Sequence, residues 1–211
     1  MNDRVKSVIK AVFVLQLRHG AVSEEELERS VGAVELEHAL GTGYLVMDDG
    51  TTNRRRRISL TAKGRGEIKV VLAGGVYDVL HVGHVAALCE ARRLGDVLVA
   101  VVATDATVEM MKGRRPVFPE EDRRALVEGL KPVDRAILGY EDVGMGYQQV
   151  LLDVLPDIVV FGYDQERLER SVSEIIKGGG LSIRTVRLSK YDREKYISST
   201  AVRERLYEKL K

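Results

Sequence analysis

Between Glu67 and Lys211 the chain alternates short β-branched apolar runs with stretches of helical periodicity, and few architectures accept that pattern. IKVVLAGG (68–75) is an apolar run closed by two glycines, as a buried strand should be. HVGHVAALCEARRLG (81–95) reads as a helix, DVLVAVVAT (96–104) as a second buried strand, and PEEDRRALVEGLKPV (119–133) as a helix with Pro119 near its first turn. DRAILG (134–139) is a short strand, GYQQVLLDVLP (146–156) a helix and DIVVFGYD (157–164) a further strand. A helix over 166–177, a strand in LSIRTVRL (181–188) and a last helix from about Ser199 complete the series. Strands that alternate with helices predict a doubly wound parallel sheet, hence an α/β domain over residues 67–211.

Residues 1–66 read differently. VKSVIKAVFVLQLRHG (5–20) has the apolar spacing of a long helix stopped by Gly20. Ser23 followed by Glu24, Glu25 and Glu26 is a capping-box start for a second helix, running to about Ser30. A third helix ends near Gly41, and two short strands follow around a turn containing Gly50 and Asn53. This order resembles a small winged helix-turn-helix domain. The linker is short, so the two domains are expected to pack together.

Composition excludes little, but it narrows the setting. The 211 residues are 45% hydrophobic and 31% charged, with a net charge of +1, so no global bias toward nucleic acid or membrane exists. The single cysteine, Cys89, has no internal disulfide partner and sits in an apolar helical stretch, which suggests a buried structural thiol in a reducing compartment. No apolar run approaches the ~18 residues of a membrane span, and a cytoplasmic location is expected.

The chemistry concentrates in Ala73-Gly-Gly-Val-Tyr-Asp-Val-Leu-His-Val-Gly-His84, where a strand meets a glycine pair, a loop and a helix start. Ligands bind such sheets at the carboxyl ends of strands. Gly74 and Gly75 would let backbone approach a ligand, and the segment Val76, Tyr77 and Asp78 would line it. A helix N-terminus offers free N–H groups and a partial positive charge to phosphate. His81 and His84, three apart, share a face of the first turn, and Gly83 between them leaves room for a phosphate. Two imidazoles aimed at one point suit oxygens that gain charge in a transition state. The alternative, a metal pair, lacks a third ligand at a persuasive spacing.

A second segment, Ile197-Ser198-Ser199-Thr200-Ala-Val-Arg203, places hydroxyls and backbone N–H groups at a helix start, with an arginine one turn on. By itself it reads as a simple N-cap. Together, HVGH and ISSTAVR resemble the HxGH and ISSTxxR signatures of the cytidylyltransferase-like nucleotidyltransferase superfamily, in the same order. The stretch ATDATVEMMKGRRPVFPEEDRRALVEGLKPVDRAILG resembles that family's lysine-containing loop and arginine-bearing helix. The resemblance implies that Lys112 meets the triphosphate and that Arg123 makes a further phosphate contact. Otherwise Lys112, Arg114 and Arg115 belong to a solvated loop, with Arg124 solvated on its helix. It also implies nucleotide contacts near Gly162 and Asp164, leaving-group contacts from Ser198, Ser199, Thr200 and Arg203, and Mg²⁺ arriving with the NTP.

Across about 69–165 the chain is most similar to archaeal FAD synthases, which implies ATP and FMN as substrates. Cytidylyltransferases acting on glycerol 3-phosphate or another phosphoalcohol are the alternative, although Lys195-Tyr196-Ile197-Ser198 stands where their Arg-Thr-x-Gly-Ile-Ser would begin. Tyr77, Tyr140 and Tyr163 would either stack on a flavin or serve as packing. A homodimer is expected, as is common in the superfamily. A different class remains: a DNA-binding regulator, with Arg54, Arg55, Arg56 and Arg57 on the wing as phosphate contacts. Against it, the third helix carries Glu35 and Glu37 and neither Lys nor Arg.

Overall fold

A computed structural model describes residues 2–20, 22–48, 56–142, 145–190, 205 and 208. The chain divides into two compact units, 1–69 and 70–211, a boundary three residues beyond the expected one.

The first unit holds α1 (Asp3–His19), β1 (Val22–Ser23), α2 (Glu24–Val31), α3 (Ala33–Leu40), β2 (Leu45–Asp48), β3 (Arg57–Leu60) and α4 (Ala62–Gly66). Ser23 caps α2 as its capping box predicts, its hydroxyl accepting from the Glu26 N–H at 3.3 Å. The strands pair antiparallel in the order β1-β3-β2. β1 is too short to show in the sequence pattern. Val8, Ile9 and Val12 of α1, Leu27 of α2, Leu36 of α3 and Ile58 of β3 are buried and form this unit's core. The short α4, also unforeseen, is capped by Thr61 and laid so close to Tyr44 that a Cβ on Gly64 would stand 2.1 Å from the Tyr44 carbonyl oxygen. Arg54 and Arg55 lie outside the described residues. Arg56 pairs with Glu24 at 3.5 Å, and Arg57 opens β3.

The second unit runs β4 (Val70–Gly75), α5 (Val82–Arg92), β5 (Val97–Val102), α6 (Asp105–Lys112), α7 (Glu120–Glu128), β6 (Arg135–Leu138), α8 (Gly146–Val154), β7 (Ile158–Phe161), α9 (Glu166–Gly178) and β8 (Arg184–Arg187). All five strands are parallel, in the order β6-β5-β4-β7-β8. The expected α/β doubly wound sheet is therefore present. The last helix foreseen from Ser199 lies outside the described residues.

Alternate residues of each strand face opposite layers. Val71 and Ala73 of β4, with Leu98, Ala100 and Val102 of β5, pack on Leu88 and Ala91 of α5 and Val127 of α7. Leu72, Val101 and Val159 face the other way, toward α8 and α9. Aspartates before β6 and β7 pin strand starts: Asp134 accepts from the Leu98 N–H at 2.8 Å and Asp157 from the Val70 N–H at 2.7 Å. Cys89 is half-buried rather than buried, on α5. The order reverses between β4 and β7, which places the switch point beside Gly74, Gly75 and Gly162.

Candidate active site

Helix α5 begins at the carboxyl end of β4 because His81 caps it. The backbone of His81 is extended, and its Nδ1 accepts from the Gly83 N–H at 3.2 Å. That bond decides the tautomer: a neutral His81 whose Nδ1 accepts must carry its proton on Nε2 and present a donor there. The His81 and His84 rings stack with centroids 3.9 Å apart and planes 27° apart. Stacking so close leaves little room for two positive charges. Burial lowers both pKa values, and for His84 the neighbouring His81 and Lys112 add to it, bringing it to about 4. The site is therefore two neutral imidazoles at a helix N-terminus. His84 Nδ1 is buried with no hydrogen-bond partner among the described residues.

This geometry links the site to stability. In the unfolded chain His84 takes up a proton below pH 6.5, whereas in the folded protein it stays neutral down to about 4. The unfolded state then binds more protons, so stability falls as pH drops through that window, by at most about 3 kcal/mol. Thermal melts between pH 7.5 and 4.5 should show His84→Gln losing less of its Tm than wild type. Parallel acid dependence in the two proteins would contradict the buried neutral imidazole.

Lys112 is not in a loop, as the sequence suggested, but is the last residue of α6, exposed and followed by Gly113 in the left-handed conformation (φ 65°). It is close enough to His84 to depress that imidazole. Helix α6 escaped the sequence reading because it has eight residues and carries Thr107 and Val108, which favour strands.

Several expected ligand contacts have structural partners instead. Arg123 is fully buried: Nε donates to the Phe118 carbonyl at 2.9 Å, Nη1 to the Val76 carbonyl at 2.5 Å and Nη2 to the Asp105 carboxylate at 2.6 Å. It braces three segments around the site and offers no exposed face to a phosphate. Asp78, 3% exposed, accepts from the N–H groups of Val117 (2.5 Å) and Phe118 (3.3 Å), so it anchors the loop between α6 and α7. Tyr77, at φ 52°, is buried, which raises its pKa. Its ring meets His84 edge-on at 5.4 Å and fills the space a Cβ on Gly75 would need, which removes it from flavin stacking. Gly75 thus accommodates Tyr77, whereas a Cβ on Gly74 would meet nothing within 4 Å, leaving open space there. Gly83 gives its N–H to the cap, and Asp164 is exposed beside Gly162.

The sequence reading missed Gln165. Its amide accepts from the Gly162 N–H at 2.7 Å and donates to the Gly74 carbonyl at 3.3 Å, tying the ends of β7 and β4 together across the switch point. Arg114, which the alternative reading left in a solvated loop, instead has its Nη1 buried 3.8 Å from Asp78 without a hydrogen-bond partner. Ile197, Ser198, Ser199, Thr200 and Arg203 lie outside the described residues.

Beside Gly74, on the sheet face that carries α8 and α9, a cavity opens to solvent. Its floor is aliphatic, from Leu72, Val101, Val150, Val159 and Val172, and its more exposed polar lining is Tyr140, Asp142, Tyr147 and Gln165, with Thr107 buried. Tyr140 is 47% exposed and its hydroxyl donates to Asp153, whereas Tyr163 is exposed next to Lys190. Among the described residues no group of three His, Cys, Asp or Glu is placed to hold a metal ion, and no helix is long and apolar enough to cross a membrane.

Residues 72–205 match the family described as Cytidylyltransferase-like. A protein of Aciduliprofundum boonei named FAD synthase is 50% identical over 121 residues, 57% of this chain and 78% of its own length. The FAD synthase of Thermoplasma acidophilum is 45% identical over 138 residues, 65% of this chain and 94% of its own. Among solved structures, the lipopolysaccharide core biosynthesis protein of Thermoplasma volcanium is 43% identical with a TM-score of 0.51, covering 59% of this chain and 99% of that one. With its parallel sheet, its capped helix at the switch point and its match over 72–205, the chain belongs to the cytidylyltransferase-like family of nucleotidyltransferases.

Proposed function

We propose that the protein is an FMN adenylyltransferase, joining AMP from ATP to FMN and releasing pyrophosphate. The observation that carries the chemistry is the pair of neutral, stacked imidazoles at the N-terminus of α5, with Lys112 close by. The relatives named FAD synthase supply the choice of substrates.

In this reading an oxygen of the FMN phosphate attacks the α-phosphorus of ATP, and the bond to the bridging oxygen of pyrophosphate breaks. A phosphomonoester has a second pKa of about 6, so the nucleophile is already ionised at neutral pH and no general base is required. Catalysis is then positioning and charge stabilisation. His81, through Nε2–H, and His84 donate to the α-phosphate oxygens as charge builds on them. Lys112 offsets charge on the bridging region. Ser198, Ser199, Thr200 and Arg203 hold the departing pyrophosphate. Mg²⁺ would ride on the triphosphate oxygens, where it would neutralise charge.

Pyrophosphate release from ATP and from CTP, each against FMN, glycerol 3-phosphate and phosphoethanolamine, tests the reading. Release with ATP and FMN alone is the expected result. Release with CTP and a phosphoalcohol would make the protein a cytidylyltransferase. No regulatory DNA contact is proposed for the first unit: Arg56 is paired with Glu24, and Glu35 of α3 with Arg4 at 3.6 Å.

A further inference from the structure

Val101 lies inside β5, a strand flanked on both sides, yet it is partly exposed while Val97 to Ala100 and Val102 are buried. The exposure exists because the cavity beside Gly74 reaches down to the sheet at this point. An aliphatic floor open to water in the centre of a sheet is costly unless something apolar covers it. Around this floor the polar side chains of the described lining are the exposed Tyr140 and Asp142 and the half-buried Tyr147 and Gln165 at the rim, with Thr107 buried and its hydroxyl donating to the Tyr140 carbonyl. The cavity is thus apolar at one end and polar at the other.

Resting on the reading that FMN is the acceptor, we propose that this cavity holds the isoalloxazine ring, with its dimethylbenzenoid edge against Val101 and Val150 and its pyrimidine edge at the rim. The shape of the polarity decides between the two aromatic systems in the reaction. Adenine carries nitrogen around its perimeter, and burying those atoms on aliphatic side chains without partners is unfavourable. Isoalloxazine has one wholly hydrocarbon edge and one edge of carbonyls and N–H. Position agrees with polarity. The cavity is bounded by Gly74, Gly75 and Val76, which lead to the His pair, and by Thr107 and Met111 of α6, the helix that ends in Lys112. A ring seated there directs its ribityl phosphate toward the edge where those groups meet. Asp164, the residue the family resemblance associates with the nucleotide, is not among the cavity's walls.

The test uses riboflavin, which has the ring without the phosphate. Riboflavin should quench on binding the wild-type protein and inhibit competitively against FMN but not against ATP. Val101→Phe, which fills the floor, should raise KM for FMN by about tenfold or more and leave KM for ATP within about twofold. Tyr147→Leu, at the half-buried rim, is the second variant and should raise KM for FMN severalfold and reduce the quench; thermal melts verify that both are folded. An increase in KM for ATP instead would assign the cavity to adenine, and an unchanged KM for FMN in both variants would leave it outside the reaction; either overturns the proposal. Riboflavin binding that Val101→Phe abolishes, with no FAD formed from ATP and FMN, would support the cavity assignment and sink the adenylyltransferase reading alone. FAD formation with unaltered kinetics in both variants would do the reverse.

Discussion

Replacing His84 with alanine is expected to lower kcat for FAD formation by roughly 10²- to 10³-fold, or about 2.7–4 kcal/mol of transition-state stabilisation, the scale for one pre-positioned donor. The magnitude follows from the environment. His84 is substantially buried, it is held between the Tyr77 ring and the His81 ring, and its pKa of about 4 keeps it neutral. A donor fixed by two ring contacts needs no reorganisation when charge develops on the α-phosphate, and a partly desolvated one is stronger than the same group in water. KM for ATP should change only a few-fold, because the contact strengthens as the reaction proceeds rather than on binding. Steady-state kinetics of folded variant and wild type separate these effects. A kcat within threefold of wild type would remove His84 from the transition state, and a large rise in KM with kcat preserved would make it a ground-state binding residue.

How legible all this was in the sequence depends on the range of the interaction. The three central strands of the parallel sheet could be read because strands buried on both faces need apolar runs, and VVLAGG, VLVAVV and IVVF are continuous ones. The His pair could be read because a helix turn brings residues three apart together whatever surrounds them. Helix α6 could not, since its eight residues are tied down by neighbours: the Asp105 N–H donates to Glu120, and Thr107 donates to the Tyr140 carbonyl. The cavity could not either, because its walls come from β4, β5, β7, α6, α8 and α9, and no local pattern records their juxtaposition. Asp78 and Tyr77 sit within the motif, yet one anchors a loop and the other packs under a glycine. A motif marks where chemistry happens without separating the residues that touch substrate from those that hold the motif in shape.

Arg123 is the sharpest instance, and it carries the largest expected effect on stability. EEDRRALVE looks like a solvated helix, but Arg123 is four residues before the buried Val127 and so on the same face. Arg123→Met keeps much of the apolar stem and removes the guanidinium. The Val76 and Phe118 carbonyls then lose their donors, and Asp105, 40% exposed, loses its partner. Removing one member of a buried pair costs about 3–5 kcal/mol, and partial solvation of Asp105 places this case near the lower figure. For a domain of this size that corresponds to a fall in Tm on the order of 10 °C. Arg123→Lys should rescue little of it, because one ammonium cannot reach three acceptors that the planar guanidinium meets at once. The same variant distinguishes a brace from a phosphate ligand. A brace lost lowers Tm equally with and without ATP, and lowers kcat by loosening Val76, Phe118 and Asp105 about the His pair and Lys112. A phosphate ligand lost would leave the ATP-free Tm near wild type and raise KM for ATP, and that outcome would return Arg123 to the triphosphate.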